Sequence, residues 1–229
     1  MKTERATAAF SSSPPGAATA LYDAYLRKRP QQSRSRAAIE AILSATVERV
    51  SRVGDEADLT LESVAARAGV GIGSLYDYFR DRKGLLAGVA AKVTEDNRIA
   101  FEAMLATTQQ MPIRKSVEVM IDYAFHVYLR DPMIPRMVLR VVNAFGMQST
   151  QTASQAQFAR ILAESLRQRS DVSASDVDTS AYIITIAVMG VMISLVWTDE
   201  PYTSAPIIRE RLIDFCCDHL TKPRSQKSE

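Results

Sequence analysis

Between Asp178 and Asp199 the chain carries no charge, and residues 181–197 are almost wholly apolar. A stretch of that length has three places to go: a membrane, the middle of a core, or a subunit interface. Its flanks are acidic (Asp176, Asp178, Asp199, Glu200), with no Lys or Arg nearby to anchor it at a headgroup layer. The reading is a core or interface helix, and no membrane partner is expected. At 229 residues the chain is long enough to bury such a helix in one core or two small ones. The two cysteines, Cys216 and Cys217, are neighbours and cannot staple distant segments. The two histidines, His126 and His219, stand far apart, which argues against a metal centre, and no cofactor is expected. No basic-then-apolar export signal opens the chain, so a cytoplasmic location is expected. The formal charge is only +2, so binding to nucleic acid has to come from local clustering.

The remaining pattern is helical, with no useful strand alternation and no repeat. Ile39, Ile42, Leu43, Thr46, Val47 and Val50 recur at helical spacing. Thr60 is placed to cap a short helix over 61–68 that stops at Gly69, and a second short helix is expected over 72–79. A long helix follows Asp81 to about residue 108, where Pro112 breaks the chain. Further helices are expected over 113–130, 136–145, 152–168, 179–198 and 207–220. The class is all-α, with about nine helices.

The most informative stretch is 60–79, T-L-E-S-V-A-A-R-A-G-V-G-I-G-S-L-Y-D-Y-F. Ala65 and Ala68 let a second helix approach, Gly69 supplies the left-handed turn, and Val70 plugs beneath it. Leu75 and Phe79, four apart, share an inward face, which leaves Tyr76 and Tyr78 pointing elsewhere with hydroxyls suited to phosphate oxygens. This is a helix-turn-helix, whose second helix enters a major groove. Gly69, Gly71 and Gly73 do not make a phosphate-cradling loop, since a helix precedes them and no G-K-[ST] follows.

These residues resemble the DNA-binding domain of the TetR/AcrR family of transcriptional regulators. The resemblance rests on Val64-Ala65-Ala66-Arg67-Ala68-Gly69-Val70, then Gly71-Ile72-Gly73-Ser74-Leu75-Tyr76-Asp77-Tyr78-Phe79, then Lys83-Gly84-Leu85-Leu86. It implies that Thr60, Ser74, Tyr76, Tyr78 and Lys83 hold phosphates, while Gly71, Ile72, Gly73 and Asp77 face base edges; Arg36 joins them as a DNA contact. Two positions depart from the pattern. Gly71 stands where Ser or Thr is usual and offers no capping hydroxyl, and Asp77 is an acid that needs a cytosine amino group or Arg80 as its partner. The basic residues Arg27, Lys28, Arg29, Arg34 and Arg36 form a run without an acid. It reads either as a solvated arm or as an extension along the DNA.

The expected organisation is a flexible basic arm (1–33), a three-helix DNA-binding domain (34–86), a helical ligand-binding and dimerisation domain (87–221) and a frayed tail (222–229). One short recognition helix gains affinity by reading two half-sites about 34–36 Å apart, which calls for a two-fold homodimer. The helices near 179–198 and 207–220 are the natural interface pair. A pocket for a small, largely apolar effector is expected among the middle helices, with Phe101, Met104, Met120, Tyr123, His126, Asn143, Phe145, Met189 and Trp197 as candidate walls. The function read from this is a ligand-responsive regulator, a repressor released from a palindromic operator on double-stranded DNA, and not an enzyme. The competing readings are a helical enzyme acting on a hydrophobic substrate, for which only Cys216, Cys217 and His219 offer reactive groups, and an effector-independent chromosomal DNA-binding protein.

Overall fold

The structure, a computed structural model, describes residues 26–27, 33–53, 59–198 and 203–221. The rest of the expected basic arm, the acidic stretch 55–58, the flank 199–202 and the tail 222–229 lie outside the described residues. Nine helices are described: α1 Ser33–Val53, α2 Leu61–Ala68, α3 Ile72–Tyr78, α4 Arg82–Thr108, α5 Ile113–Leu129, α6 Met133–Ala144, α7 Gln148–Arg167, α8 Val177–Trp197 and α9 Ala205–Thr221. An antiparallel bridge between Leu26 and Phe79 is the one piece of extended pairing among the described residues.

Local chemistry sets the helix starts. The Thr60 hydroxyl accepts from Ser63 N at 3.2 Å, Asp81 Oδ1 from Gly84 N at 2.8 Å, and Asp176 Oδ1 from Thr179 N at 3.0 Å. Gly69 (φ 67°) closes α2 and Gly146 (φ 68°) follows α6, both in the left-handed region that a glycine enters without strain. Two starts differ from the sequence reading by more than two residues. α6 begins at Met133 rather than 136, because Pro135 falls in its first turn, where a missing N–H costs nothing. α7 begins at Gln148 rather than 152, and the Thr152 hydroxyl donates to the Gln148 carbonyl inside that earlier turn.

Two apolar cores result. The first joins Ile42 and Val50 of α1, Val64 of α2, Leu75 of α3, Phe79, Leu85 and Val89 of α4, and Met137, Val141 and Val142 of α6. The second joins Phe101 and Leu105 of α4 with Ile121 of α5, Leu162 of α7, Ile184 and Met192 of α8, and Ile213 and Cys216 of α9. The expected boundary between residues 86 and 87 falls inside α4, which runs unbroken from one core to the other. By length and composition α8 would reach across a membrane. Here one of its faces, with Ala181, Ile184, Val188 and Met192, forms the second core, while Tyr182 (47%) and Trp197 (45%) stay exposed.

Arg169 ties the junction of three elements. Its guanidinium donates to the Thr108 and Gln109 carbonyls and to the Ser116 hydroxyl, and grips both oxygens of Asp171, whose Oδ2 also accepts from Ile113 N at 2.7 Å. The loop that Pro112 creates is thereby fixed on α7.

Candidate nucleic-acid interface and ligand cavity

α3 is only seven residues long and owes its position to packing. Leu75 and Phe79 are fully buried in the first core, and the turn beneath is locked by Val70 N donating to the Ala65 carbonyl at 3.0 Å. Burying that one face leaves Gly71, Ile72, Gly73, Ser74, Tyr76 and Asp77 exposed on the other. Gly71 caps α3 with no side-chain hydrogen bond, as its residue type dictates. Tyr78 differs from the sequence reading: it is half-buried and packs on the first core, so it presents less than Tyr76 does. Among the described residues Asp77 has no ion-pair partner, and Arg80 does not supply one. Arg67 is committed elsewhere, gripping Glu48 through two hydrogen bonds of 2.7 Å, and with Arg52 it holds the Glu48 carboxyl below its ordinary range.

Two features frame this surface. Lys83 is exposed, with its Nζ 4.6 Å from the centre of the Phe145 ring, so the amine at the start of α4 rests on the end of α6. On the other side, Leu26 packs into the first core and bridges Phe79, while Arg27 N donates to the Tyr78 carbonyl at 3.0 Å. The Arg27 guanidinium lies 3.4 Å from the Tyr76 carbonyl. A cation at the last carbonyls of a helix is favourable, so Arg27 caps α3. Leu26 and Arg27 are therefore held against the end of α3. Thr60 and Arg36 are exposed on α2's start and on α1.

The second feature of the molecule is a cavity of about 640 Å³ walled by α4, α5, α6, α7 and α8. That size is within the range for a drug-sized ligand. Of the residues expected to wall it, Phe101, Met120, Tyr123, His126 and Met189 do so. Met104, Asn143, Phe145 and Trp197 do not. Met104 packs against the second core, Asn143 is exposed, Phe145 lies under Lys83, and Trp197 lies on the outside with Arg140 5.7 Å over its ring. Phe101 forms an aromatic pair with Phe158 at 5.4 Å and another with Tyr123 at 6.3 Å. The Tyr123 hydroxyl donates to the Asn97 carbonyl at 3.0 Å. Burial pushes the phenols of Tyr123 and Tyr128 up to about 12, and the neighbouring Tyr128 adds to the shift of Tyr123. Sequence reasoning missed Asn97, Tyr128 and Thr185 as wall residues. Tyr128 falls on the apolar stripe of α5, where spacing reads it as core, and Asn97 stands one turn before Phe101 on α4, which was a usable signal.

A helix-turn-helix whose reading face is held out by a packed core, joined through one continuous helix to a cavity-bearing bundle, defines a DNA-binding transcriptional regulator. The chain belongs to the TetR family: residues 42–89 match the family described as bacterial regulatory proteins, tetR family, and residues 112–220 match the tetracyclin repressor-like C-terminal domain. It is 32% identical over 84 residues to the HTH-type transcriptional regulator BetI of Escherichia coli, a match spanning 37% of this chain and 43% of BetI. The fold is similar to that of a TetR-family regulator from Mesorhizobium loti (TM-score 0.63, 17% identity, 82% of this chain and 96% of that one). It is also similar to NalD of Pseudomonas aeruginosa, the secondary repressor of the MexAB-OprM multidrug efflux pump (TM-score 0.53, 17% identity, 82% and 98% covered). Regulators of this family bind operator DNA, act as dimers, respond to small-molecule effectors, and are in general soluble and cytoplasmic.

Proposed function

We propose that this chain is a cytoplasmic, ligand-responsive repressor that reads a palindromic operator as a homodimer and has no enzymatic activity or cofactor of its own. The observation that carries the reading is α3: two fully buried anchors, Leu75 and Phe79, hold Ile72, Ser74, Tyr76 and Asp77 out as one exposed strip. In the complex, Ile72 meets thymine methyls and Asp77 accepts from a cytosine amino group, while Gly71 and Gly73 let the backbone come close. Thr60, Ser74, Tyr76, Lys83 and Arg36 take phosphates, with Tyr78 contributing only its exposed edge. Arg27, fixed against the end of α3, sits where it adds a further phosphate contact.

Dimerisation uses the outer faces of α8 and α9, where Tyr182, Ile183, Ile207 and Phe215 remain exposed apolar groups on neighbouring helices. Paired with a second copy, these make a four-helix bundle. The effector acts from the cavity. Ala90 and Val142 belong to the first core and also wall the cavity, so a ligand bears directly on side chains that support the DNA-reading half. A ligand releases the operator only if it favours the DNA-incompetent arrangement, by a coupling of about 1–3 kcal/mol.

Selection of genomic fragments by the purified protein, followed by footprinting, tests this. A two-fold footprint with half-sites one helical turn apart is the expected result, and binding without any preferred site overturns it. On that operator Tyr76→Phe and Lys83→Ala weaken all sequences alike, whereas Ile72→Ala changes the preference among them by about 1–3 kcal/mol at the bases it touches.

A further inference from the structure

The polar groups of the cavity are unevenly placed. Apart from Arg130 and Asp131, no lysine, arginine, aspartate or glutamate walls it. Those two lie at the end of α5 and just beyond, where Arg130 is exposed and lies 3.4 Å from the ring Nε2 of an equally exposed His126. The charge is at the mouth. Deeper in, the wall is apolar or neutral, with the aromatic slab of Phe101, Tyr123 and Phe158 on one side.

Within that neutral interior not every donor is used inside the protein. The Tyr123 hydroxyl is used, on the Asn97 carbonyl. The Tyr128 hydroxyl, on a half-buried side chain of the cavity wall, has no hydrogen-bond partner among the described residues. Its raised pKa follows from that burial and keeps it a donor throughout the physiological range. A hydroxyl that the protein leaves without a partner is free to donate to an acceptor that enters the cavity. A carboxylate entering the same place would need a cation, and an ammonium would need an acid; the interior has neither, and an unpaired buried ion costs far more than one hydrogen bond returns.

We infer that the cavity takes an uncharged, largely apolar molecule bearing a hydrogen-bond-accepting oxygen, which the Tyr128 phenol holds, and that it discriminates against carboxylates and ammonium ions of the same carbon skeleton. The inference rests on the cavity being the effector site of the reading above, but its test is independent of DNA.

The test is displacement of Nile red from the full chain by four molecules of one skeleton: methyl decanoate, decanoate, decylammonium and decane. The ester should displace the dye at concentrations more than about tenfold below those of either ion. Tyr128→Phe, which keeps the ring and its packing, should cut the ester's affinity roughly three- to tenfold and leave decane unchanged. An unchanged thermal midpoint for Tyr128→Phe establishes that the fold is retained. Decanoate or decylammonium matching the ester, an ester affinity indifferent to Tyr128→Phe, or no displacement by any of the four each overturns the inference. Operator binding measured alongside separates the two readings. Selective ester binding that leaves the operator complex intact upholds the ligand class and sinks the effector role, and unselective displacement that nonetheless releases the operator does the reverse.

Discussion

In the DNA-reading half, side chains fill the space under α3, so that a short helix with no capping side chain holds one orientation. In the other half, five helices pack around space that they leave open. The first half works by excluding alternatives, and its surface is fixed by what lies beneath it. The second keeps room, and the selectivity we propose for it comes from which polar groups are left without a partner in that room. Both are helix-on-helix packing, yet removal of a side chain should mean opposite things in the two.

The largest expected effect tests that opposition directly. Phe79→Ala removes a fully buried ring from a filled core and should cost about 3–5 kcal/mol in denaturant unfolding, with loss of operator binding. Phe158→Ala enlarges a space that already exists and should cost less than half as much. Equal costs would mean that the cavity is no weaker a part of the packing than the first core.

Alkaline pH should separate the halves next. Burial raises the Cys216 thiol from 9.0 to about 12 and the Tyr123 and Tyr128 phenols from 10.0 to about 12, and all three lie in the cavity-bearing half. An acid raised on folding is bound by its proton more tightly in the native state, so its stabilising share is complete below the unfolded value. That share drains away as the pH rises between about 9 and 12. Hydrogen exchange at pH 7 and pH 10 should show protection lost in α5, α8 and α9 before α1–α3, and Cys216 should resist thiol reagents until then. Loss of protection in α1–α3 first would break the comparison.

Two smaller changes probe the local signals of the DNA-reading half. Thr60→Ala takes away the acceptor for Ser63 N and should cost about 1 kcal/mol. Gly71→Ser has the opposite sign. The backbone there is extended, a Cβ would meet nothing within 4 Å, and a serine hydroxyl would supply the missing cap, so a gain of a few tenths of a kcal/mol is expected in the unfolding midpoint. A destabilised Gly71→Ser protein would mean that this end of α3 is constrained by more than packing from below.

The same contrast explains what could be read in advance. Thr60, Gly69 and the Leu75–Phe79 pair act within a few residues of themselves, so spacing and residue type placed α2, the turn and α3 almost to the residue. The cavity depends on which helices become neighbours. Helical periodicity identified Met104, Phe145 and Trp197 as apolar groups facing something, but not what they faced, and they went to the second core, to Lys83 and to the outer surface. Tyr128 was hidden by the same logic in reverse, since a phenol on an apolar stripe looks like core until the opposite wall is known to be absent. The docking of Leu26 and Arg27 on the end of α3 was not legible in the basic run that contains Arg27, because two residues that pair with the end of a helix leave no periodic trace.

The three side chains of α6 in the first core, Met137, Val141 and Val142, limit how this protein can be divided. They arrive from a segment more than forty residues beyond the end of α4's contribution, past the whole of α5. A DNA-reading head cut off after α4 would expose the faces of α1 and α4 that α6 covers, trading a sealed surface for an aggregation site. Fusions that give this reading head a different sensor would therefore have to carry α6 across with it, or rebuild those three side chains in matching volume.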